Sequence, residues 1–295
     1  MVVGADKVED ELLSPAALLA GMPTRRLGRP IVYHRVIDST NEEARRLAAA
    51  GSPEGTLVIA ERQTAGRGRR GRQWVAPAGR CLLFSLLLRP ALPPERLFAL
   101  TMAAGLAVRG AIMDQLGLVP ALKWPNDVYI AGRKAAGILV ESAFAGRELE
   151  FAVVGIGVNV NVRPEELAGA VLGSAADPTL RRLPGTATSL MVEAGRPVSR
   201  SALLWDILRH FERWYERILA GESPLEEWRG ALLEWGQEVE IEAGGERILG
   251  RVVDAAADGA LGLALPDGQL RYFYAGEASL RPRPAGAEDN LPESA

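Results

Sequence analysis

The longest regular pattern in the chain lies between Pro94 and Gly117, where apolar residues recur at Leu97, Leu100, Ala104, Val108 and Ile112. Steps of three and four residues behind a first-turn proline predict one long helix, which the glycine stops. An apolar run from Cys81 to Arg89 predicts a fully buried strand, and Thr56 to Glu61 predicts another, with a Gly/Arg loop from Arg62 to Arg80 between them. Leu122 to Trp124, Asp127 to Ile130 and Ala136 to Phe144 also read as strands. The last two are joined by Ala131-Gly132-Arg133, and Glu148 to Asn159 returns after a turn at Gly146. Upstream, Pro15 to Gly21 is a short amphipathic stretch, and Ser39-Thr-Asn-Glu42 matches a capping box that opens a helix running to Ala50. Ser199 to Ala220 and Pro224 to Trp235 are helical, with Trp205, Leu208, Phe211, Trp214 and Tyr215 on one core-facing stripe.

Alternating βα units do not occur in this order, so a Rossmann sheet is not expected. The predicted fold class is α+β, with a mixed central sheet flanked by helices over residues 31–236. Past Gly236, Glu238 to Ala243, Arg247 to Asp254, Leu261 to Leu265, Leu270 to Tyr274 and Ala278 to Arg281 are short strands separated by Gly-Gly and Asp-Gly turns. They predict a small SH3-like barrel over residues 237–282. Residues 1–30 read as an extension too short for a domain and without a helix-turn-helix pattern. Residues 283–295, rich in Pro, Ala, Gly and acid, read as a disordered tail.

A length of 295 residues, 48% of them hydrophobic and 24% charged, fits a soluble protein of about two domains and excludes collagen-like or wholly disordered classes. No run approaches the roughly 18 consecutive apolar residues of a membrane span. Met1 to Glu11 alternates apolar and acidic residues where a secretory signal is basic and then apolar, so a cytoplasmic location is expected. A single cysteine, Cys81, excludes an internal disulfide, and His34 and His210 stand too far from any second ligand to suggest zinc. No G-x-S-x-G marks a serine hydrolase. The net charge of −3 argues against general DNA or RNA binding but leaves room for a local basic site. Of 34 basic residues only Lys7, Lys123 and Lys134 are lysines. Two of these fall close together, as a site that needs a compact ammonium would require.

Three segments carry chemistry. Gly66-Arg-Gly-Arg-Arg-Gly-Arg-Gln-Trp74 offers glycines that let backbone amides approach an anion and arginines that neutralise it. Its competing readings are a solvated loop or an RGG-like nucleic-acid segment. Lys123-Trp-Pro-Asn-Asp127 and Lys134 flank a hairpin whose pairing brings the Asp127 carboxylate near the Lys134 ammonium. Such an Asp could hold Mg²⁺ while the Lys contacts a phosphate; as a mere surface ion pair the two would contribute about 0–1 kcal/mol. Val154-Gly-Ile-Gly-Val-Asn159 places two glycines on one strand face, bare enough for a flat ligand. It fails G-x-G-x-x-G, and no Walker motif is present.

Taken in order and spacing, Ser39-Thr-Asn41, Gln63 to Trp74, Lys123 to Asp127, Gly132 to Glu141 and Gly155-Ile-Gly-Val-Asn159 resemble the biotin protein ligases, over residues 30 to 281. The resemblance implies an enzyme that joins biotin to ATP and then passes the biotinyl group from biotinyl-AMP to a lysine of the biotin carboxyl carrier protein of a carboxylase such as acetyl-CoA carboxylase. Ser39, Thr40 and Gln63 would hydrogen-bond the ureido ring, with Gly155 and Gly157 lining its slot and Asn41 also among the binding residues. Arg67, Gly68 and Arg69 would close over the adenylate, with Gly66 also among the binding residues. Arg72 and Lys134 would neutralise phosphates, with Lys123 and Gly137 also among the binding residues. Asn126 and Asp127 would position Mg²⁺ or the incoming amine, Trp74 and Asn159 would border adenine, and Glu277 and Arg281 would assist from the barrel. Lys134, Asp127, Arg72 and Arg69 are thus the expected catalytic set. Phe273-Tyr274-Ala275 departs from the family by replacing a tryptophan-containing stretch. A lipoate or octanoyl ligase shares the fold but normally lacks the Gly/Arg loop and the hairpin together. A biotin-sensing DNA regulator would need a winged helix, so a monofunctional enzyme without DNA binding is expected, and the edge strands of the central sheet leave a homodimer open.

Overall fold

The computed structural model describes residues 13–167, 187–243, 245–274 and 277–280, the last four by their backbone alone. Its main sheet has seven strands: β1 (Ile31–His34), β2 (Leu57–Ala60), β3 (Cys81–Leu88), β4 (Ala121–Lys123), β5 (Asp127–Ile130), β6 (Arg133–Ala145) and β7 (Glu148–Asn159). They lie in the order β1-β2-β3-β7-β6-β5-β4. The β1–β2 pair is parallel and the others are antiparallel, so the sheet is mixed.

The strand period of two divides the sheet's side chains into two faces. One face, with Leu82, Phe84, Leu86, Val154, Ile156 and Ile138, builds the main core together with α3 (Phe98–Leu116) and α5 (Arg200–Leu219). Helix α3 is apolar on all sides and long enough by composition to cross a membrane, yet it is largely buried in this core. Its stretch from Pro94 to Arg96 is a separate 3-10 turn before the α-helix proper. The opposite face carries Val58, Leu87 and Val153 under α2 (Thr40–Ala49), and the Gly/Arg loop beyond them. Helix α1 (Pro15–Ala20) and the chain to Leu27 are packed in as well: Leu13, Leu18 and Leu27 are buried, and the Glu212 carboxylate accepts the backbone amides of Arg25, Arg26 and Leu27.

Two local expectations need correction. Ser39 is the N-cap residue of α2 but its hydroxyl makes no capping bond. The Ser39 amide donates to Asp38 Oδ1 and Glu42 pairs with Arg67, so the reciprocal capping box does not form. Pro224 to Trp235 is not one helix either. After α4 (Leu190–Ala194) and α5, helix α6 spans Leu225–Gly230 and stops because the next residues pair with β4: Leu122 N–H donates to Ala231 O, and Leu233 N–H to Leu122 O.

A second, antiparallel sheet follows, built from β8 (Glu238–Ala243), β9 (Glu246–Ala255), β10 (Leu261–Ala264), β11 (Leu270–Phe273) and β12 (Glu277–Leu280) in the order β11-β10-β9-β8-β12, as an SH3-like unit requires. Its apolar residues join the main core, and polar contacts fasten it to the larger unit. Trp124 Nε1 donates to Gly259 O at 2.9 Å, and Arg229 meets Asp254 and the Ala255 carbonyl. Gly259, at φ 89°, packs so tightly on Phe98 that any Cβ there would collide with the ring.

Candidate active site

Lys134 and Asp127 meet on the open face of the sheet, with Lys134 Nζ 2.6 Å from Asp127 Oδ1. The hairpin between them turns through Ala131 and Gly132, both at positive φ. A bulge follows, so that Tyr129 opposes Lys134 while Asp127 opposes Gly137. Lys134 and Gly137 are three apart and a regular strand would send them to opposite faces; the extra residue brings both to the same one. A Cβ on Gly137 would lie 3.4 Å from both Asp127 Oδ1 and Lys134 Cε. Gly137 in turn opposes Gly157, and Leu139 opposes Gly155.

The face over Gly155 and Gly157, expected to be bare, is covered by the chain's own side chains. A Cβ at Gly155 would collide with the Asn41 amide, and one at Gly157 would stand 2.7 Å from the Trp74 indole. Trp74 spans Gly137 and Gly157, with the Lys134 ammonium 5.6 Å from its ring centre. Its Nε1 is buried without a hydrogen-bond partner and so remains a donor toward whatever enters. The loop carrying Trp74 is closed on itself: Trp74 N–H donates to Gly66 O, Gly68 N–H donates to Arg72 O, and Arg67 bridges Gln73. Gly66 must be glycine because a Cβ would meet the Trp74 carbonyl.

Between this loop and β6 lies a cleft of about 390 Å³, lined by Arg67 to Gly71, Asn126, Ile138 to Glu141, Phe98 and Thr101. Burial pushes the Arg69 guanidinium pKa down, against the opposing pull of Asp127. At the other end, Ser39, Thr40 and Asn41 are buried at the start of α2. Gln63 Oε1 accepts from both the amide and the hydroxyl of Thr40, at 2.7 and 3.1 Å.

Other expected residues serve the frame. Asn126 Nδ2 donates to Ile138 O, pinning the hairpin to β6. Asn159 Nδ2 donates to Thr188 O, and its Oδ1 accepts from Cys81 Sγ, whose buried thiol is pushed up to about 12. The Lys123 ammonium rests over Tyr129, 5.1 Å from the ring centre, and so does not join Lys134. Arg72 lies half-buried at the end of the 3-10 turn of the loop. Glu277 begins β12 opposite Glu242, while Arg281 and residues 283–295 lie outside the described residues.

Residues 33–159 match the biotin/lipoate A/B protein ligase family, and residues 235–281 match the biotin protein ligase C-terminal domain. The bifunctional ligase/repressor BirA of Bacillus subtilis is 32% identical over 270 residues, which are 91% of this chain and 79% of that protein. The chain belongs to the biotin protein ligase family. The biotin–[acetyl-CoA-carboxylase] ligase of Mycobacterium tuberculosis is 35% identical over 76% of this chain and 79% of its own. Biotin protein ligase from Aquifex aeolicus, solved with biotin and ATP, superposes with a TM-score of 0.66 and 29% identity, covering 86% of this chain and 99% of that one.

In this ligase four residues of the site were not anticipated for roles there. Ser85 is buried with Oγ 2.6 Å from Asn41 Oδ1, and Glu141 takes Asn41 Nδ2 at 2.8 Å. Glu42 holds Arg67, and Glu234 receives the Trp124 amide beneath the hairpin. A serine inside the apolar run Cys81 to Leu88 was the one visible signal for the first. The others sit at ordinary acidic positions.

Proposed function

We propose that this ligase activates biotin with ATP to biotinyl-5′-AMP, releasing pyrophosphate, and transfers the biotinyl group to a lysine of a biotin carboxyl carrier protein. The observation that carries this reading is the convergence, on one sheet face, of the Lys134–Asp127 pair, the Trp74 lid over two glycines and the buried Ser39–Asn41 turn. In the first step a biotin carboxylate oxygen attacks the α-phosphorus and pyrophosphate leaves. Negative charge builds on the phosphate oxygens, and a preorganised Lys134, with Arg72 from the loop, stabilises it. In the second step the carrier's ε-amine attacks the acyl carbon of the mixed anhydride and AMP departs. No enzyme nucleophile is required, because the anhydride is already activated and what remains is positioning. The ureido ring is held at Ser39, Thr40 and Gln63, and adenine lies against Trp74, while Asn41 and Asn159, whose amides are engaged within the protein, back the two ends of the site.

Mg²⁺ fits this site as a companion of the nucleotide. Among the described residues no group of three or more His, Cys, Asp or Glu side chains is placed to hold a metal. Mg²⁺, however, keeps several waters and commonly takes one carboxylate plus substrate phosphates. Asp127 supplies that carboxylate beside the phosphate-binding cations, and when bound the ion would add charge neutralisation. Asp127 also orients Lys134 and can accept a hydrogen bond from the incoming amine.

The enzyme acts in the cytoplasm on this reading. Among the described residues β6 pairs with β5 only as far as Gly137, so its backbone from Leu139 to Ala145 offers an edge for a second copy of the chain. Sedimentation of the purified protein with and without biotinyl-AMP tests that dimer.

The function is tested by mixing the chain with biotin, ATP, Mg²⁺ and an unmodified biotin carrier domain, and weighing the carrier. A single biotinyl gain that depends on ATP is expected. No gain and no biotin binding, with lipoate bound instead, would replace biotin by a lipoate-type acid.

A further inference from the structure

Glu141 stands on β6 between the two ends of the site, its side chain 15% exposed. One oxygen, Oε2, accepts from Asn41 Nδ2 at 2.8 Å, and the other, Oε1, lies 3.0 Å from Arg67 Nη2 on the Gly/Arg loop. Arg45 reaches the same oxygen from 3.8 Å. Asn41 has little freedom of its own. It is 4% exposed, its Nδ2 also contacts Leu139 O, and its Oδ1 accepts from Ser85 Oγ, a hydroxyl wholly shut off from solvent. Ser85 Oγ lies 2.8 Å from Thr40 Oγ1, which reaches Gln63. A polar path therefore runs from Gln63 through Thr40, Ser85, Asn41 and Glu141 to Arg67, crossing from α2 to β3 to β6 and ending on the loop.

We propose that Glu141 is a positioning residue that makes closure of the Gly/Arg loop depend on the biotin end of the site. The proposal rests on the biotin-ligase reading. Arg67 is 43% exposed, and an exposed ion pair to Glu42 alone would hold it weakly. Glu141 is different because its charge is partly buried and its geometry is fixed by the Asn41 amide, so the guanidinium meets an oriented acceptor. Glu42 follows Asn41 in sequence, and both acids that grip Arg67 therefore answer to the start of α2. A ligand seated against Ser39 to Asn41 fixes that turn and tightens the loop at the same time.

The test uses the full chain loaded with biotinyl-AMP and measures the rate at which the adenylate escapes. Glu141→Gln is expected to raise that rate about tenfold, as removal of a charged hydrogen-bond partner does. Arg67→Ala should do the same, and the double variant should be no leakier than the worse single one, since both break the same link. Ser85→Ala, which cuts the path inside the sheet without touching the loop, should also speed escape and serves if Glu141→Gln folds poorly. A wild type that forms and retains the adenylate while Glu141→Gln retains it equally, or effects that simply add, would overturn the assignment. A wild type that forms no adenylate would overturn the biotin-ligase reading and this inference with it.

Discussion

Lys134 Nζ and Asp127 Oδ1 stand 2.6 Å apart on adjacent strands, with the lysine side chain 14% and the aspartate side chain 20% exposed. The pair keeps the ammonium extended under Trp74, on the face where the proposed function puts the phosphate charge. Removing the ammonium leaves that charge without its nearest compact cation. Lys134→Ala is expected to lower adenylate formation by about 10²-fold or more, the scale of losing one preorganised donor. Pyrophosphate release measured under saturating biotin checks this, and a near-normal rate would remove Lys134 from the chemistry.

Arg69 lines the cleft between the loop and β6, where burial already lowers its guanidinium pKa. On the proposed function it would shield the adenylate and not make it. Arg69→Gly is therefore expected to form biotinyl-AMP but release it faster, labelling exposed lysines of bystander proteins. Adenylate retention equal to wild type would count against a shielding role.

The parts of the site legible in the sequence were those that depend on residue type and strand period. The hairpin at Ala131-Gly132, the turn at Gly146 and the strand Glu148 to Asn159 follow from local chemistry, and so does the approach of Asp127 to Lys134. What could not be read depends on tertiary partners. The bulge that turns Lys134 and Gly137 to one face carries no glycine or proline of its own. Ser39 looks like a capping residue, yet its hydroxyl makes no capping bond, and the Glu42 carboxylate that would reach back to it pairs with Arg67, 25 positions away. The helix from Pro224 was read too long because nothing local says that residues 231–233 bond to Leu122. The glycines at 155 and 157 do share one strand face, but that face is not bare for a ligand as expected, because Asn41 and Trp74 from distant segments cover it.

Gly157→Ala tests that clearance. The new methyl would stand 2.7 Å from the Trp74 ring, closer than carbon atoms tolerate, so the indole must lift from the sheet. Overpacking of this kind costs about 1–3 kcal/mol, and because Trp74 belongs to the Gly/Arg loop the displacement reaches the nucleotide end of the site. KM for ATP is expected to rise at least severalfold, with a smaller change for biotin. Unchanged KM values for both substrates would show that Trp74 does not shape the pocket.

Glu234 gives a pH-dependent prediction. Its carboxyl is fully buried between the Lys123–Asp127 hairpin and the second sheet, with Oε2 receiving Trp124 N–H at 3.3 Å and Oε1 lacking a hydrogen-bond partner. Burial pushes its pKa from the ordinary 4.5 up to about 7; the Trp124 amide, its own amide and Lys123 pull it down, while the Asp127 charge adds to the rise. Between those two values the folded protein holds a proton that the unfolded chain has already lost, so stability falls as pH rises through this window. At pH above 7 the buried carboxylate costs about 3 kcal/mol relative to acid conditions. Glu234→Gln, neutral at every pH, should escape this loss. Urea unfolding of both proteins at pH 5 and pH 8 should show the variant gaining on wild type at the higher pH, by up to that amount. Parallel stability profiles would mean that Glu234 ionises as freely in the folded protein as in the unfolded chain.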